Sequence, residues 1–249
     1  MAIDQAPLTI RDASRRPQIT RQFVRFAFHR LDPAWRRRDD AERAADRDEL
    51  TSLLAETAAL PGVLLRIYSL VGTRGDADFM LWLISDDLDQ HHRFSARLNR
   101  IRMAGYLTSP YHYFAMTKRS MYVERHEHAG QEGRSSRMVI VPGTRRYLFV
   151  YPFVKTRAWY RLSKEERQRQ MDEHIAMGHR FPSVKINTTY SFGLDDQEFV
   201  VAFESDSVAD FLDLVHEMRG SEASTHTVRD VPSFTCMAMP AAEMVDALG

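Results

Sequence analysis

Apolar and polar positions along this chain fall into a pattern that occurs twice. Two apolar stretches, QFVRFAFHRL (22–31) and RYLFVYPFV (146–154), read as strands. Each is followed by a charged segment of helical character, Ala41 to Ala59 in one case and Lys164 to Arg180 in the other. Next come two hairpin-like stretches, YSLVGTRGDADFMLWLISD (68–86) and YSFGLDDQEFVVAFESD (190–206). Both open on Tyr-Ser, pass through a Gly/Asp turn and end an apolar run on Ser-Asp. Tyr68 matches Tyr190 and Phe79 matches Phe199, so the second turn is two residues shorter. Helical segments follow again, LDQHHRFSARLNRIRM (88–103) and SVADFLDLVHEM (207–218).

Each half is therefore expected to run strand, helix, strand, turn, strand, helix. That order predicts an α+β fold of two duplicated ferredoxin-like units. Helices cover one face of each antiparallel sheet. The other faces cover each other, which gives a dimeric α+β barrel within one chain. The expected boundaries are a flexible arm at 1–17, a first half at 18–110, a connector loop at 111–144 and a second half at 145–249.

Composition narrows the functional classes. Thirty-four Lys and Arg balance thirty-four Asp and Glu in 249 residues. No overall field favours nucleic acid, so an anionic ligand must meet local clusters of cations. The single cysteine, Cys236, cannot form an internal disulfide, and a cytoplasmic setting is expected. MAIDQAPLTIRDASRR lacks the apolar core of a signal peptide, and runs such as Phe79 to Ile84 are too short to span a bilayer.

Candidate chemistry gathers in the second half. Ser163 and Glu166 form the pattern of a capping box at a helix start. Behind them Met171, His174, Ile175 and Gly178 mark an apolar stripe, so His174 points where core residues point. It reads either as a buried core histidine or as a neutral axial ligand for haem iron, with Gly178 leaving room for a flat partner. Such a ligand wants an acceptor for its other ring N–H. Tyr151 stands where a strand opens at Pro152, followed by Lys155, Arg157 and Trp159. A phenol beside cations and an indole suits redox or acid–base work, or simply caps the core. Arg145, Arg146, Lys118 and Arg119 are further local cations. His126 and His128 share a face in an extended segment, but no third and fourth metal ligands accompany them.

The duplicated halves, the tract YPFVK…WY, the helix EERQRQMDEHIAMGHRFP and the stretch VKINTTYSFGLDDQEFVVAFESD together resemble the chlorite dismutase superfamily over about residues 18–248. The resemblance implies a haem-type cofactor in the second half and a homopentamer. By the same resemblance, His174 matches the proximal iron ligand and Glu222 the carboxylate that holds its other N–H. Tyr151 matches the redox-active tyrosine of the coproheme decarboxylase branch, and Lys155 its propionate-contacting lysine. Trp159 falls at the porphyrin edge, and Arg145 or Arg146 is a looser propionate contact. The distal arginine of chlorite-decomposing members is replaced by Ile186, which disfavours chlorite dismutation. His128, or less closely His126, corresponds to the distal base of one decarboxylase branch.

The expected function is peroxide-dependent oxidative decarboxylation of iron coproporphyrin III (coproheme) to haem b, with the substrate serving as its own cofactor. A non-catalytic haem-binding or haem-sensing protein is the alternative. The expected partners are a porphyrin and hydrogen peroxide, with no nucleic acid and no membrane span.

Overall fold

A computed structural model describes residues 21–120, 122 and 138–249. The chain is α+β, with a large antiparallel sheet and, among the described residues, six α-helices. In chain order these are β1 (Phe23–Leu31), α1 (Asp40–Ala58), β2 (Val63–Ser69), β3 (Phe79–Ser85), α2 (Leu88–Leu98) and β4 (Leu107–Met116). There follow β5 (Tyr147–Lys155), α3 (Arg157–Arg161), α4 (Lys164–Gly178), β6 (Lys185–Tyr190), β7 (Phe199–Ser205), α5 (Val208–Met218), β8 (Thr227–Arg229), β9 (Phe234–Ala238) and α6 (Ala241–Asp246).

The strands are ordered β7-β6-β4-β1-β3-β2-β9-β5-β8, and a further pairing of β5 with β7 turns the sheet back on itself. Within the first half the order is β2-β3-β1-β4, and within the second it is β6-β7-β5-β9. The halves meet at β4–β6 and at β2–β9.

Each half has a last strand that the apolar pattern did not announce. Residues 111–116, placed in the connector by sequence, belong to β4 and pair with β1. The segment LTSPYHYFAM hides its strand character behind Pro110. Pro110 lies where the β1–β4 register shifts, between the pairs Phe28↔Tyr111 and Arg30↔Thr108. A bulge tolerates a residue without an N–H. Pro152 is likewise inside β5 rather than at its end. It faces Val200 on one side, at the point where β9 has left the other edge and β8 has not yet begun.

Alternation along the strands makes two layers. Val24, Phe26, Phe28, Met80, Trp82, Ile84, Leu148, Val150, Val200 and Ala202 point inward and form one core shared by both halves. The intervening residues face the helices. The two helix-facing layers are unequal. In the first half sixteen buried side chains fill it, including Leu50, Leu54, Phe79, Leu81 and Phe94, and three of them, Met244, Val245 and Leu248, come from the C-terminus. In the second half only Phe149, Val201, Phe203 and Leu214 are buried there, with Tyr147, Tyr151, Phe153, Phe211 and Met218 partly covered. The second half therefore has the incompletely filled layer, and a ligand site belongs there.

Buried imidazoles tie the first half to pH. His29 accepts or donates one contact, Nδ1 to Ser109 Oγ at 3.0 Å, and its Nε2 has no partner. Both ring nitrogens of His91 lack partners. Burial, then the positive charge of Arg25, lowers His29 from 6.5 to about 3 and His91 from 6.5 to about 4. His112 is also lowered, and Asp87 opposes the shift of His91 only weakly. Both rings are thus neutral in the fold and protonate more readily in the unfolded chain. Their contribution is intact above pH 6.5 and is lost as pH falls from about 6.5 toward 4. Urea midpoints should be level between pH 7 and 8 and should drop across that window. In His91→Asn the drop should be shallower, and an unchanged slope would refute the assignment.

Candidate functional site

The unfilled layer of the second half is a cleft between β5, α4, α5 and the segment leading into β8. It encloses about 420 Å³ of empty space, which includes open solvent at its mouth. Tyr151, Phe153 and Lys155 line it from β5, and His174 lines it from α4. Val215 and Met218 come from α5, and Arg219, Ala223, Ser224, Thr227 and Asp230 from the chain beyond.

Strand alternation explains the first group. Tyr151, Phe153 and Lys155 are spaced by two, so they share the helix-facing side of β5 while Leu148 and Val150 anchor the other. The Tyr151 ring lies 5.7 Å from that of Phe203, and burial raises its phenol well above the usual tyrosine range. Lys155 donates from Nζ to Ala223 O at 2.7 Å and sits 4.4 Å from the centre of the Trp159 ring. Burial lowers Lys155 from 10.5 to about 8, with Glu198 opposing. Trp159 is buried beneath this ammonium, 5.5 Å from the His226 ring. It supports Lys155 rather than lining the cleft.

His174 reaches the cleft from the third turn of α4. Burial, then the nearby Lys155, lowers its ring from 6.5 to about 4, so the imidazole is neutral at physiological pH. Its Nδ1 is buried without a hydrogen-bond partner. A neutral imidazole in an apolar cleft, with cations alongside for carboxylates, matches what an iron porphyrin needs from a protein. The residues present fit that group.

Several expectations are corrected. Glu222 does not hold His174. Its carboxylate accepts from Arg169 Nη2 at 2.6 Å and from Gln170 Nε2 at 3.0 Å. Gly178 faces Met218 of α5, where an added Cβ would stand at ordinary contact distance, 3.4 Å, from Met218 Cε. Ser163 caps α4 by accepting from Glu166 N at 3.1 Å, but the Glu166 carboxylate turns forward to Arg169 and Gln170 instead of closing a box. The buried residue of α4 is Gln170, not a member of the apolar stripe. Arg145 and Arg146 are not in the cleft. They precede β5 at the end away from Lys155, where Arg145 pairs with Asp206 at 2.6 Å and Arg146 lies over Tyr147. Ile186 pairs with Phe203 and so shares its face, but half its surface is exposed and it does not line the cleft. His126 and His128 lie outside the described residues.

Arg219, Ser224 and Asp230 were not singled out from sequence. Arg219 and Asp230 pair at 2.5 Å at the edge of the cleft, next to Tyr151. Their only signal is position. Arg219 directly follows the last residue of α5, whose apolar face carries Phe211, Leu214 and Met218 onto the sheet.

The sheet turns back on itself through the β5–β7 pairing, and the histidine-bearing cleft lies on its second half. The chain belongs to the chlorite dismutase family, whose model matches residues 43–239. It is 30% identical to the coproheme decarboxylase of Mycolicibacterium smegmatis over 195 residues, 78% of this chain and 81% of the relative. Among solved structures, a mutant chlorite dismutase from Candidatus Nitrospira defluvii superposes with a TM-score of 0.79 at 25% identity, covering 91% of this chain and 95% of the other. The imidazole complex of chlorite dismutase from the same organism gives 0.80 at 24% identity, covering 91% and 94%. Among the described residues no helix is long and apolar enough to cross a membrane.

Replacing His174 by Ala should abolish the imidazole-ligated absorption spectrum of protein mixed with iron protoporphyrin IX. Because the lost ring had an unpaired nitrogen, stability should change by only about 1 kcal/mol or less. An unaltered Soret spectrum in the variant would show that iron binds elsewhere.

Proposed function

We propose that this protein catalyses peroxide-dependent oxidative decarboxylation of iron coproporphyrin III to haem b. The observation that carries the reading is the cleft itself. It holds a neutral imidazole, a buried phenol on a rigid strand and two cations, Lys155 and Arg219, on one apolar floor. The Mycolicibacterium smegmatis relative, named for this activity, supports it. We read the two halves as duplicated ferredoxin-like units in a dimeric α+β barrel, assembled as a homopentamer in the cytoplasm.

In each cycle one propionate loses carbon dioxide and one β-hydrogen and becomes a vinyl. Two electrons leave the substrate, and hydrogen peroxide takes them up with protons to give two waters. When bound, the iron porphyrin supplies the site at which peroxide is reduced. The chain's residues do the rest. His174 holds and orients the macrocycle through its iron. Lys155 and Arg219 neutralise carboxylates that would otherwise be costly to bring into an apolar cleft. Arg219 is already matched to a carboxylate, that of Asp230, so a propionate competes with an existing pair. Tyr151 stands on the strand that forms the cleft floor. Its raised pKa keeps the phenol protonated, with a hydrogen atom to give, and once oxidised its phenoxyl oxygen could take one back from a propionate β-carbon. Trp159 keeps Lys155 in place by its ring face. His128 is the distal base in this reading. Ile186 offers no charge to an oxyanion, so chlorite decomposition is not part of it.

Tyr151→Phe should bind iron coproporphyrin III with near-parent affinity and form no haem b, as read by chromatography of the products. Turnover at the parent rate would defeat the decarboxylase reading and favour a haem-binding or sensing role.

Lys155 gives a pH signature. Its charge is present below about pH 8 and is lost as pH rises through that value. Affinity for the tetracarboxylate porphyrin should therefore weaken above pH 8. Lys155→Met should be weaker at pH 7 and should lack that step. A step of the same size in the variant would remove Lys155 from carboxylate binding.

A further inference from the structure

Three buried polar atoms on α4 lack partners: Nε of Arg167, Oε1 of Gln170 and Nδ1 of His174. The last two lie one helical turn apart. Gln170 is only 2% exposed, the most buried residue of its helix. A buried amide oxygen without a donor costs the fold its desolvation, so its presence calls for a reason.

The other end of the Gln170 side chain is fully engaged. Nε2 donates to Glu166 Oε1 at 3.0 Å and to Glu222 Oε1 at 3.0 Å. Two carboxylates accept both amide protons, which fixes the orientation of the group. Turning it over would set Oε1 against two anions. The oxygen therefore has to be the free end, available to a donor. Glu222 is itself held by Arg169 Nη2 at 2.6 Å, and its backbone N–H reaches Glu173 Oε2 at 3.4 Å. The whole bracket is tied to α4 at several points.

Helix geometry sets the two side chains on one face, although the structure shows no hydrogen bond between the two atoms. Residues i and i+4 lie on one face with Cβ atoms about 5–6 Å apart. Side chains on a helix lean toward its N-terminus, so the imidazole of His174 leans back over Gln170. With Nε2 directed to a metal, the neutral ring carries its proton on Nδ1, which is a donor in search of an acceptor.

We propose that Gln170 is the positioning residue for His174: its side-chain oxygen accepts the Nδ1–H of the imidazole, while Glu166 and Glu222 hold its amide protons. This rests on His174 being the iron ligand. The carboxylate of Glu222 then acts on the ring at one remove. A neutral amide draws less negative charge onto the imidazole than a direct carboxylate, so the ligand is oriented without being pushed toward imidazolate. Only one side chain, at the position four before His174, is needed to make that difference.

The test uses the full chain loaded with iron protoporphyrin IX and reduced to the ferrous state. The readouts are the iron–histidine stretching frequency and the affinity for the porphyrin. Gln170→Met keeps the length and burial of the side chain and removes the acceptor. It should lower the frequency and weaken binding by about 10- to 100-fold. Gln170→Glu, isosteric and pressed by its anionic neighbours into the protonated form, retains a carbonyl oxygen and should restore the parent frequency. Glu222→Gln should move it less than Gln170→Met does. The proposal is overturned if Gln170→Met leaves the frequency where it was, or if Glu222→Gln shifts it more, since that would mean direct contact between Glu222 and His174. If the parent protein shows no frequency that depends on His174, the ligand assignment itself fails, and the role of Gln170 with it.

Discussion

The site depends on the period of two along β5. Leu148 and Val150 are locked into the inner core against Val200 and Ala202 of β7 and against Phe234 and Cys236 of β9. That interior belongs to both halves, so neither sheet can shift without exposing it. With those positions inward, Phe149, Tyr151, Phe153 and Lys155 have no choice but the helix side. A slip of one residue would bury Tyr151 in the inner core and turn Val150 to the cleft. The chemistry of the outer face is thus specified by packing on the inner one.

The same constraint explains why the cleft that holds His174 lies on the helix face of the second half. Both halves have the same strand order, yet the first uses its outer face as a second core. There β1 and β3 present Leu31, Phe79, Leu81 and Leu83 to α1 and α2, and the C-terminal α6 closes over them. In the second half α4 carries charge and amide where α1 carries leucine, and it buries Gln170 alone. A helix with so few apolar anchors cannot seal the sheet beneath it. The cleft is what remains.

This separation sets what could be read in the sequence. The repeat, the order of elements and the strand YLFVYPFVK were legible because they depend on local periodicity. Tyr151, Lys155 and His174 followed from them, since each sits at a definable place on a periodic element. Arg219, Ser224 and Asp230 did not, because they converge on the cleft from the end of α5 and from either side of β8. Their meeting is tertiary. Glu222 was read by likeness to the family, and the likeness misses its actual partners, Arg169 and Gln170. The fault lies in α4, where a polar residue at 170 takes a buried position that the apolar stripe, read from sequence, assigned to its neighbours. β4 and β9 escaped for simpler reasons. One is interrupted by Pro110 at a bulge, and the other is five residues long.

The dimensions of β5 set the spacing of the polar groups it brings to the cleft. Four residues separate Tyr151 from Lys155, so their Cα atoms are about 13 Å apart along the strand. Both nevertheless line the same cleft, with the apolar ring of Phe153 between them. Side chains that alternate on one strand stand roughly parallel, so the phenol and the ammonium mark two ends of the cleft with an apolar ring between them. In the reaction proposed above, that spacing would divide the work along the strand, with hydrogen transfer at one end and charge neutralisation at the other.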